Sequence, residues 1–184
     1  MADFSQIIET VRFPVDIPVQ TCWHDHHVEG RVVLPAVEAM QVVAETVKNC
    51  KPDTAVTGMA QVQFDKFLYI QPATEKIDAR VDIETYANGD IIARLVTKTQ
   101  AENSSISRIK EHAAVRYPLD KKSPAVVPPD LNSALQGDCF EVSPDRIYLE
   151  LVPFGPEYHN IKERLLLTEH GAMAKIGSPP GEQG

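Results

Sequence analysis

The segment Pro35–Cys50, PAVEAMQVVAETVKNC, carries the clearest helical pattern in the chain. Its polar and apolar side chains fall on two sides of a helix. The polar side has Glu38, Gln41, Glu45 and Lys48, and the apolar side has Val37, Met40, Val43, Ala44 and Val47. Pro35 suits a first turn, where its missing N–H costs little, and Lys51-Pro52-Asp53 ends the pattern. The segment therefore predicts one helix with a wide buried face.

Four segments after this helix alternate apolar and polar residues, as strands with one buried face do. They are Val56–Ile70, Lys76–Ala87, Asp90–Glu102 and Ser105–Pro118. Turn-forming residues at 87–90 and 102–105 predict that the last three strands form an antiparallel meander. This element order predicts an α+β fold. It is the order of a hot-dog fold, in which a long antiparallel sheet wraps around a central helix, although other α+β folds share it.

The composition favours one core and argues against an anionic polymer as partner. The chain has 184 residues, of which 43% are hydrophobic, and its formal net charge is -8. Phosphate binding needs concentrated Lys and Arg, and the sequence holds no such block. The chain is therefore not expected to bind nucleic acid.

The cysteines and the hydropathy pattern predict the compartment. Cys22, Cys50 and Cys139 are odd in number and widely spaced, which suits a reducing compartment better than a disulfide framework. The N-terminal stretch lacks the basic start and apolar run of a signal peptide, and no window approaches the roughly 18 apolar residues of a membrane span. We expect a cytoplasmic protein without a membrane partner.

A histidine cluster precedes the helix in CWHDHHVEGRVVLPAVEAMQ, residues Cys22–Gln41. A metal site, a catalytic base with its supports and a polar strand end all remain open as interpretations. Strand alternation predicts His24 and His26 on one face, with Asp25 on the other as a solvent-facing charge. Zinc usually needs three or four convergent ligands, and neighbouring residues on a strand point apart. No metal site is therefore predicted.

Two motifs support a more specific interpretation. HHVEGRVVLP has the form HxxxGxxxxP, with His26, Gly30 and Pro35, and YLELVPFGPEY has the form YxxxxxxGxxY, with Tyr148 and Tyr158 at its ends. The first resembles the motif that opens the central helix in dehydratase domains of polyketide synthases. The second resembles the stretch that begins the second hot-dog of those domains. The resemblance extends over residues 13–177.

The resemblance implies a site that eliminates water from a 3-hydroxyacyl thioester. His26 would be the general base that removes the α-proton, because imidazole is a neutral base with an ordinary pKa near neutrality. Gly30 would allow a tight turn close to the substrate, and Pro35 would begin the helix whose free N–H groups face the thioester carbonyl. Tyr158 would contact a substrate oxygen. The partner would be acyl carrier protein or a CoA thioester, with no cofactor beyond the phosphopantetheine arm of the substrate.

The chain departs from the family pattern at the acid. The family's second hot-dog supplies a carboxylate that protonates the leaving hydroxyl, and this chain is expected to end before such a residue. Single hot-dog fatty-acid dehydratases carry their acid where Gln41 stands here. We predict neighbouring Glu38 as the acid, while an acid from the partner subunit and the absence of any acid stay open. The family's glycine after the second tyrosine is His159, and a later aromatic is Lys162. A non-catalytic acyl-thioester-binding subunit and a hot-dog thioesterase using Glu38 therefore stay open.

The domain organisation follows from these motifs and from the turn residues. We predict a hot-dog domain over residues 1–118, a proline-rich linker over 119–142, a partial second hot-dog-like segment over 143–177 and a disordered tail over 178–184. Within the third, Ser143 is predicted to cap a short helix and Glu169-His170-Gly171 to form a hairpin turn. A single wrapped sheet leaves an open edge, so we expect a homodimer.

Overall fold

The computed structural model describes residues 6–100, 107–119, 130, 135–152 and 154–177. The chain divides into two compact units, one of Met1–Val19 with Val33–Pro124 and one of Gln20–Val32 with Ala125–Gly184. The predicted turn at 102–105 and the predicted tail lie outside the described residues, as does most of the predicted linker. The predicted domain boundaries therefore remain a prediction.

The first unit is built on a five-stranded antiparallel sheet. Its strands are β1 (Ile7–Pro18), β4 (Ala60–Gln63), β5 (Lys76–Tyr86), β6 (Ile91–Gln100) and β7 (Ser107–Tyr117). They lie in the order β1-β5-β6-β7-β4, so the chain segment from β5 to β7 is the predicted meander. Strands β2 (His27–Val28) and β3 (Arg31–Val32) form a separate hairpin in the second unit.

The predicted central helix is confirmed as α1 (Ala36–Cys50), which packs against β1, β5, β6 and β7. Pro35 precedes it, and its carbonyl accepts the Ala39 N–H at 3.1 Å. The covered face begins at Ala39, so Val37 in the first turn is 68% exposed, against the prediction. Thr46 is also buried, and its hydroxyl is satisfied there because it donates to the Val42 carbonyl at 2.7 Å.

The inner face of the sheet supplies the other half of this core. Alternate residues of the meander are almost fully buried, as period-two packing requires. They are Val81, Ile83, Ala93, Leu95, Ala113, Val115 and Tyr117. Burial raises the pKa of Tyr117 to about 12, so its phenol stays neutral.

The turn between β5 and β6 is held by a buried carboxylate. Gly89 has a φ of +84°, which turns of this kind need, and Asp90 is 4% exposed. Asp90 accepts hydrogen bonds from the Arg116 guanidinium, at 2.6 and 3.0 Å, and from the Leu119 N–H at 3.0 Å. Burial favours the neutral acid, but these bonds prevail and hold the pKa of Asp90 below its usual value.

Two strand predictions fail. Only Ala60–Gln63 of the predicted strand Val56–Ile70 is a strand, and its register with β7 shifts between Ala60 and Gln63. Gln61 has a φ of +49°, which interrupts regular pairing. The edge strand β1 is absent from the prediction, although it pairs with β5 over most of its length.

The second unit contains a three-stranded antiparallel sheet and several short helical turns. Its strands β8 (Phe140–Val142), β9 (Leu165–Leu167) and β10 (Ala172–Met173) lie in the order β10-β9-β8. The predicted cap is confirmed, because the Ser143 hydroxyl accepts the Arg146 N–H at 3.3 Å. The hairpin turn before β10 is also confirmed. Helices that are long and apolar enough to span a membrane do not occur among the described residues.

A candidate active site around His26

The backbone before His26 is helical, which corrects the strand prediction for the histidine cluster. Thr21–Asp25 is one turn of 3-10 helix that ends when the His26 N–H donates to the Trp23 carbonyl at 2.9 Å. Strand alternation therefore does not govern these side chains. His24 is exposed, whereas His26 and His27 are half-buried.

A tight hairpin follows His26. Strands β2 and β3 are joined by Glu29 and Gly30, which have φ angles of 53° and 72°. Positive φ at both central residues is the requirement of a type I′ turn, and glycine meets it without steric cost. A Cβ at Gly30 would meet no heavy atom within 4 Å, so the turn, and not a close neighbour, requires this glycine.

The His26 imidazole packs against two aromatic rings from the end of the second motif. The Phe154 ring centroid lies 4.6 Å from that of His26, at an interplanar angle of 32°. The Tyr158 ring lies 5.3 Å away at 56°, and the two aromatic rings contact each other edge-on at 5.6 Å. All three side chains are half-buried. The structure thus brings together His26 and Tyr158, which the sequence predicts as site residues.

Residues 154–158, here called the aromatic loop, are held by Asp25. The Gly155 N–H donates to the Asp25 main-chain carbonyl at 2.7 Å, and the Glu157 N–H donates to the Asp25 carboxylate at 3.0 Å. A Cβ on Gly155 would lie 2.3 Å from Asp25 Cγ, so only glycine fits this approach. The prediction of Asp25 as a solvent-facing charge is therefore wrong, because its carboxylate accepts the Glu157 N–H of the loop.

The far side of the aromatic loop is held by His159, which stands where the family has glycine. Its Nε2–H donates to the Phe154 carbonyl at 2.9 Å, and its ring stacks on Tyr148 at 4.1 Å and 17°. Tyr148 is buried, as expected of a packing residue, and its hydroxyl accepts the Ile161 N–H at 2.8 Å. These contacts fix the loop from both ends.

Two further predicted site residues, Pro35 and Glu38, lie in the first unit. Pro35 is buried just before α1, and Glu38 is half-buried in its first turn. Gly30 lies in the second unit with His26 and Tyr158. Across the described parts of the chain, no group of three or more His, Cys, Asp or Glu side chains is arranged to hold a metal ion.

Two residues of the site were missed at the sequence level. Phe154 directly precedes the glycine of the second motif, and an apolar residue there gives no sign that it faces an imidazole. Strand periodicity predicts that Asp25 faces solvent, and that periodicity does not apply in a 3-10 turn. Its position directly before His26 was the available signal, since Asp often accepts backbone N–H groups in turns.

Comparison with solved structures gives the fold independently. A trans-AT polyketide synthase dehydratase domain from Brevibacillus brevis matches with a TM-score of 0.69 and 18% identity, over 96% of this chain and 62% of that domain. The dehydratase domain from the CurF module of curacin polyketide synthase matches with a TM-score of 0.68 and 18% identity, over 96% of this chain and 63% of that one.

The chain has the hot-dog fold of polyketide synthase dehydratase domains. The dehydratase domain from the CurK module matches with a TM-score of 0.66 and 20% identity, over 95% of this chain and 61% of that domain. The chain thus spans about three fifths of the length of the dehydratase domains it matches. Two variants of the CurK dehydratase, one with a histidine replaced by phenylalanine and one with an aspartate replaced by asparagine, have been solved as inactive mutants. No family model and no curated protein matches this chain.

Proposed function

We propose that this chain is a dehydratase of 3-hydroxyacyl thioesters, with His26 as its general base. The observation that carries the proposal is the His26 imidazole held against Phe154 and Tyr158 in a chain with a dehydratase fold. The loss of activity in the CurK dehydratase when a histidine is replaced supports a histidine-dependent reaction in proteins of this fold.

The chemistry explains the choice of residue. Neutral imidazole takes the proton from C2 of the thioester, the C3–O bond breaks, and the hydroxyl leaves as water once an acid has protonated it. The products are a 2-enoyl thioester and water, and the imidazolium then returns its proton to solvent. We propose the Tyr158 hydroxyl as a contact for a substrate oxygen and Gly30 as the turn that keeps the backbone close to the substrate.

The acid is a separate part of the proposal. The Asp25 carboxylate, which adjoins His26 in sequence, already accepts the Glu157 N–H. Glu38 remains the proposed acid, and Pro35 the residue that sets the start of its helix. The substrate is proposed to arrive as an acyl carrier protein or CoA thioester, whose phosphopantetheine arm is part of the substrate.

We further propose that the chain forms a homodimer. Strand β1 is twelve residues long and lies at the edge of the five-stranded sheet. Ile7, Ile8 and Phe13 on this strand are 46%, 61% and 42% exposed. A long edge strand with exposed apolar side chains is a template for pairing with a second copy.

The test is the hydration of crotonyl-pantetheine, the reverse of the elimination, followed by loss of the enoyl thioester absorbance. His26→Ala should lower kcat/KM by roughly two to four decades, the usual contribution of a positioned general base. His24→Ala is the matched control, because His24 is exposed and should leave the rate nearly unchanged.

Three outcomes would contradict the proposal. Binding of the thioester without turnover would favour a non-catalytic acyl-binding subunit. Hydrolysis of the thioester that depends on Glu38 would favour a thioesterase. Equal losses in both histidine variants, reversed by added zinc, would indicate a metal site.

A further inference from the structure

Asp25 makes two hydrogen bonds to the aromatic loop that the proposed chemistry leaves without a role. Its main-chain carbonyl accepts the Gly155 N–H at 2.7 Å and its carboxylate accepts the Glu157 N–H at 3.0 Å. Asp25 is 132 positions away from Glu157 in sequence, so these bonds are tertiary contacts. They join the residue directly before the proposed base to the loop that carries Phe154 and Tyr158.

The carboxylate completes a helix start that the loop cannot complete itself. Residues Pro156–Tyr158 form a short 3-10 helix whose cap position is Gly155. The first N–H groups of a helix lack partners within it, and a side-chain oxygen at the cap normally accepts one of them. Gly155 has no side chain, and its own Cβ would collide with Asp25. Asp25 therefore caps this helix from a distant part of the chain.

One residue thus fixes the loop relative to His26. The His26 N–H is tied back to Trp23, so Asp25 and His26 share one rigid turn. The two bonds from Asp25 hold the loop so that the Phe154 and Tyr158 rings lie 4.6 and 5.3 Å from the imidazole. Loss of the carboxylate would release the start of the loop helix while leaving the imidazole itself intact.

We infer that Asp25 is a positioning residue that holds the aromatic loop, and with it the Tyr158 hydroxyl, in register with the imidazole of His26. The inference rests on the proposed function and adds a residue to its site. Asp25 acts here by accepting a hydrogen bond, and its charge is not required. Asparagine presents a side-chain oxygen at the same position, so Asp25→Asn should keep the bond to the Glu157 N–H. Asp25→Ala removes that bond and keeps only the main-chain bond to Gly155.

The experiment compares Asp25→Ala, Asp25→Asn and His24→Ala with the unmodified chain in crotonyl-pantetheine hydration. Asp25→Ala should lower kcat by about tenfold to hundredfold, the cost of misplacing a reacting group by about 1 Å. KM should change much less, because most of the binding surface remains. Asp25→Asn should restore kcat to within about fivefold, since the hydrogen bond is kept and only its charge assistance is lost. His24→Ala should match the unmodified chain.

The pH profile separates positioning from electrostatic support. In hydration His26 returns a proton to C2, so one limb of the kcat/KM profile reports the titration of its imidazole. A positioning role leaves that limb unchanged in Asp25→Asn, whereas a carboxylate that stabilises the imidazolium would make that limb shift to lower pH on its removal. The single tryptophan, Trp23, is 3% exposed in the same turn, and its fluorescence reports whether each variant keeps the local fold. If Asp25→Ala does not fold, the activity and the pH profile of Asp25→Asn still test whether the charge of Asp25 is required.

The possible failures are distinguishable. If Asp25→Ala keeps full activity while His26→Ala loses it, the positioning role is refuted and the proposed base survives. If Asp25→Asn is as slow as Asp25→Ala, or shifts the limb that reports the imidazole, the carboxylate charge is required and the inference is wrong. If the unmodified chain has no hydratase activity at any pH, both the proposed function and the positioning role of Asp25 are refuted.

Discussion

Replacing Gly155 with alanine tests the geometry of the site without changing any group that could carry out chemistry. Gly155 has φ and ψ of −76° and 176°, an extended conformation that alanine adopts freely. In open space the change would stabilise the fold by about 0.4–1 kcal/mol, because it restricts the unfolded chain. The effect of the substitution therefore depends only on what the new methyl group meets.

The structure gives the size of that collision. The added Cβ would lie 2.3, 2.4 and 2.7 Å from three Asp25 side-chain atoms, whereas ordinary contact begins at 3.4 Å. The loop or the Asp25 turn must therefore move by about 1 Å, a misplacement that costs about a hundredfold in a positioned reaction. Overpacking of this kind also destabilises proteins by about 1–3 kcal/mol.

The assay pairs crotonyl-pantetheine hydration with urea unfolding followed by Trp23 fluorescence. Gly155→Ala should lose about two decades in kcat. Gly58→Ala is the matched control, because a Cβ there would meet nothing within 4 Å. It should leave kcat unchanged and should not lower the free energy of unfolding, since alanine in open space stabilises by about 0.4–1 kcal/mol. In an Asp25→Ala background the two closest contacts are gone, so the added stability cost of Gly155→Ala should fall. Full activity and stability in Gly155→Ala would refute the described contact between the loop and Asp25.

Three further predictions concern stability and assembly. Asp90→Ala should lower the free energy of unfolding by about 3 kcal/mol in urea titrations at pH 7, because it leaves the Arg116 guanidinium without its buried partner, and a loss under about 0.5 kcal/mol would contradict this. Since folding lowers the pKa of Asp90, this contribution should be complete above the ordinary carboxyl pKa and should be lost as the pH falls through the lower folded value. Burial lowers the pKa of His112, with Lys110 and Lys66 adding to the effect, so stability should fall as the pH drops below about 6.5, where only the unfolded state takes up the proton. In urea titrations between about pH 5 and 7, His112→Gln should flatten this dependence, and an unchanged slope of stability against pH would contradict it. Light scattering should show a dimer at micromolar concentration, and a monomer throughout that range would exclude pairing through β1.

The helix and the meander were predictable because their signals are local. Helix α1 shows a 3.6-residue period with a proline before it, and the strands β5 to β7 show a period of two with Asn88-Gly89 between the first pair. Each pattern arises from burial of one face, which the sequence records directly. Tertiary contacts only had to bring these elements together.

The failures share one physical cause, which is dependence on a distant partner. Strand β1 pairs with β5 about seventy positions later and exposes most of its side chains, so its alternation is weak. The segment after α1 forms a strand only at Ala60–Gln63, where it pairs with β7, and the register of that pairing shifts where Gln61 has a positive φ. Likewise Asp25 takes its role from the N–H group of Glu157, and local periodicity carries no information about that contact.

The distribution of the second unit over two chain segments has a consequence for how it is made. Residues 20–32 belong to it, yet they are synthesised before nearly all of the first unit, and the rest of the second unit begins only at residue 125. Glu157 leaves the ribosome 132 residues after Asp25, an interval of about 7 to 26 seconds at common rates of translation. The imidazole of His26 spends that interval without Phe154 and Tyr158, its partners from the aromatic loop. The turn that carries Asp25 and His26 therefore exists long before the loop that packs on it, and slow translation or early termination would leave this turn open to chaperones and proteases.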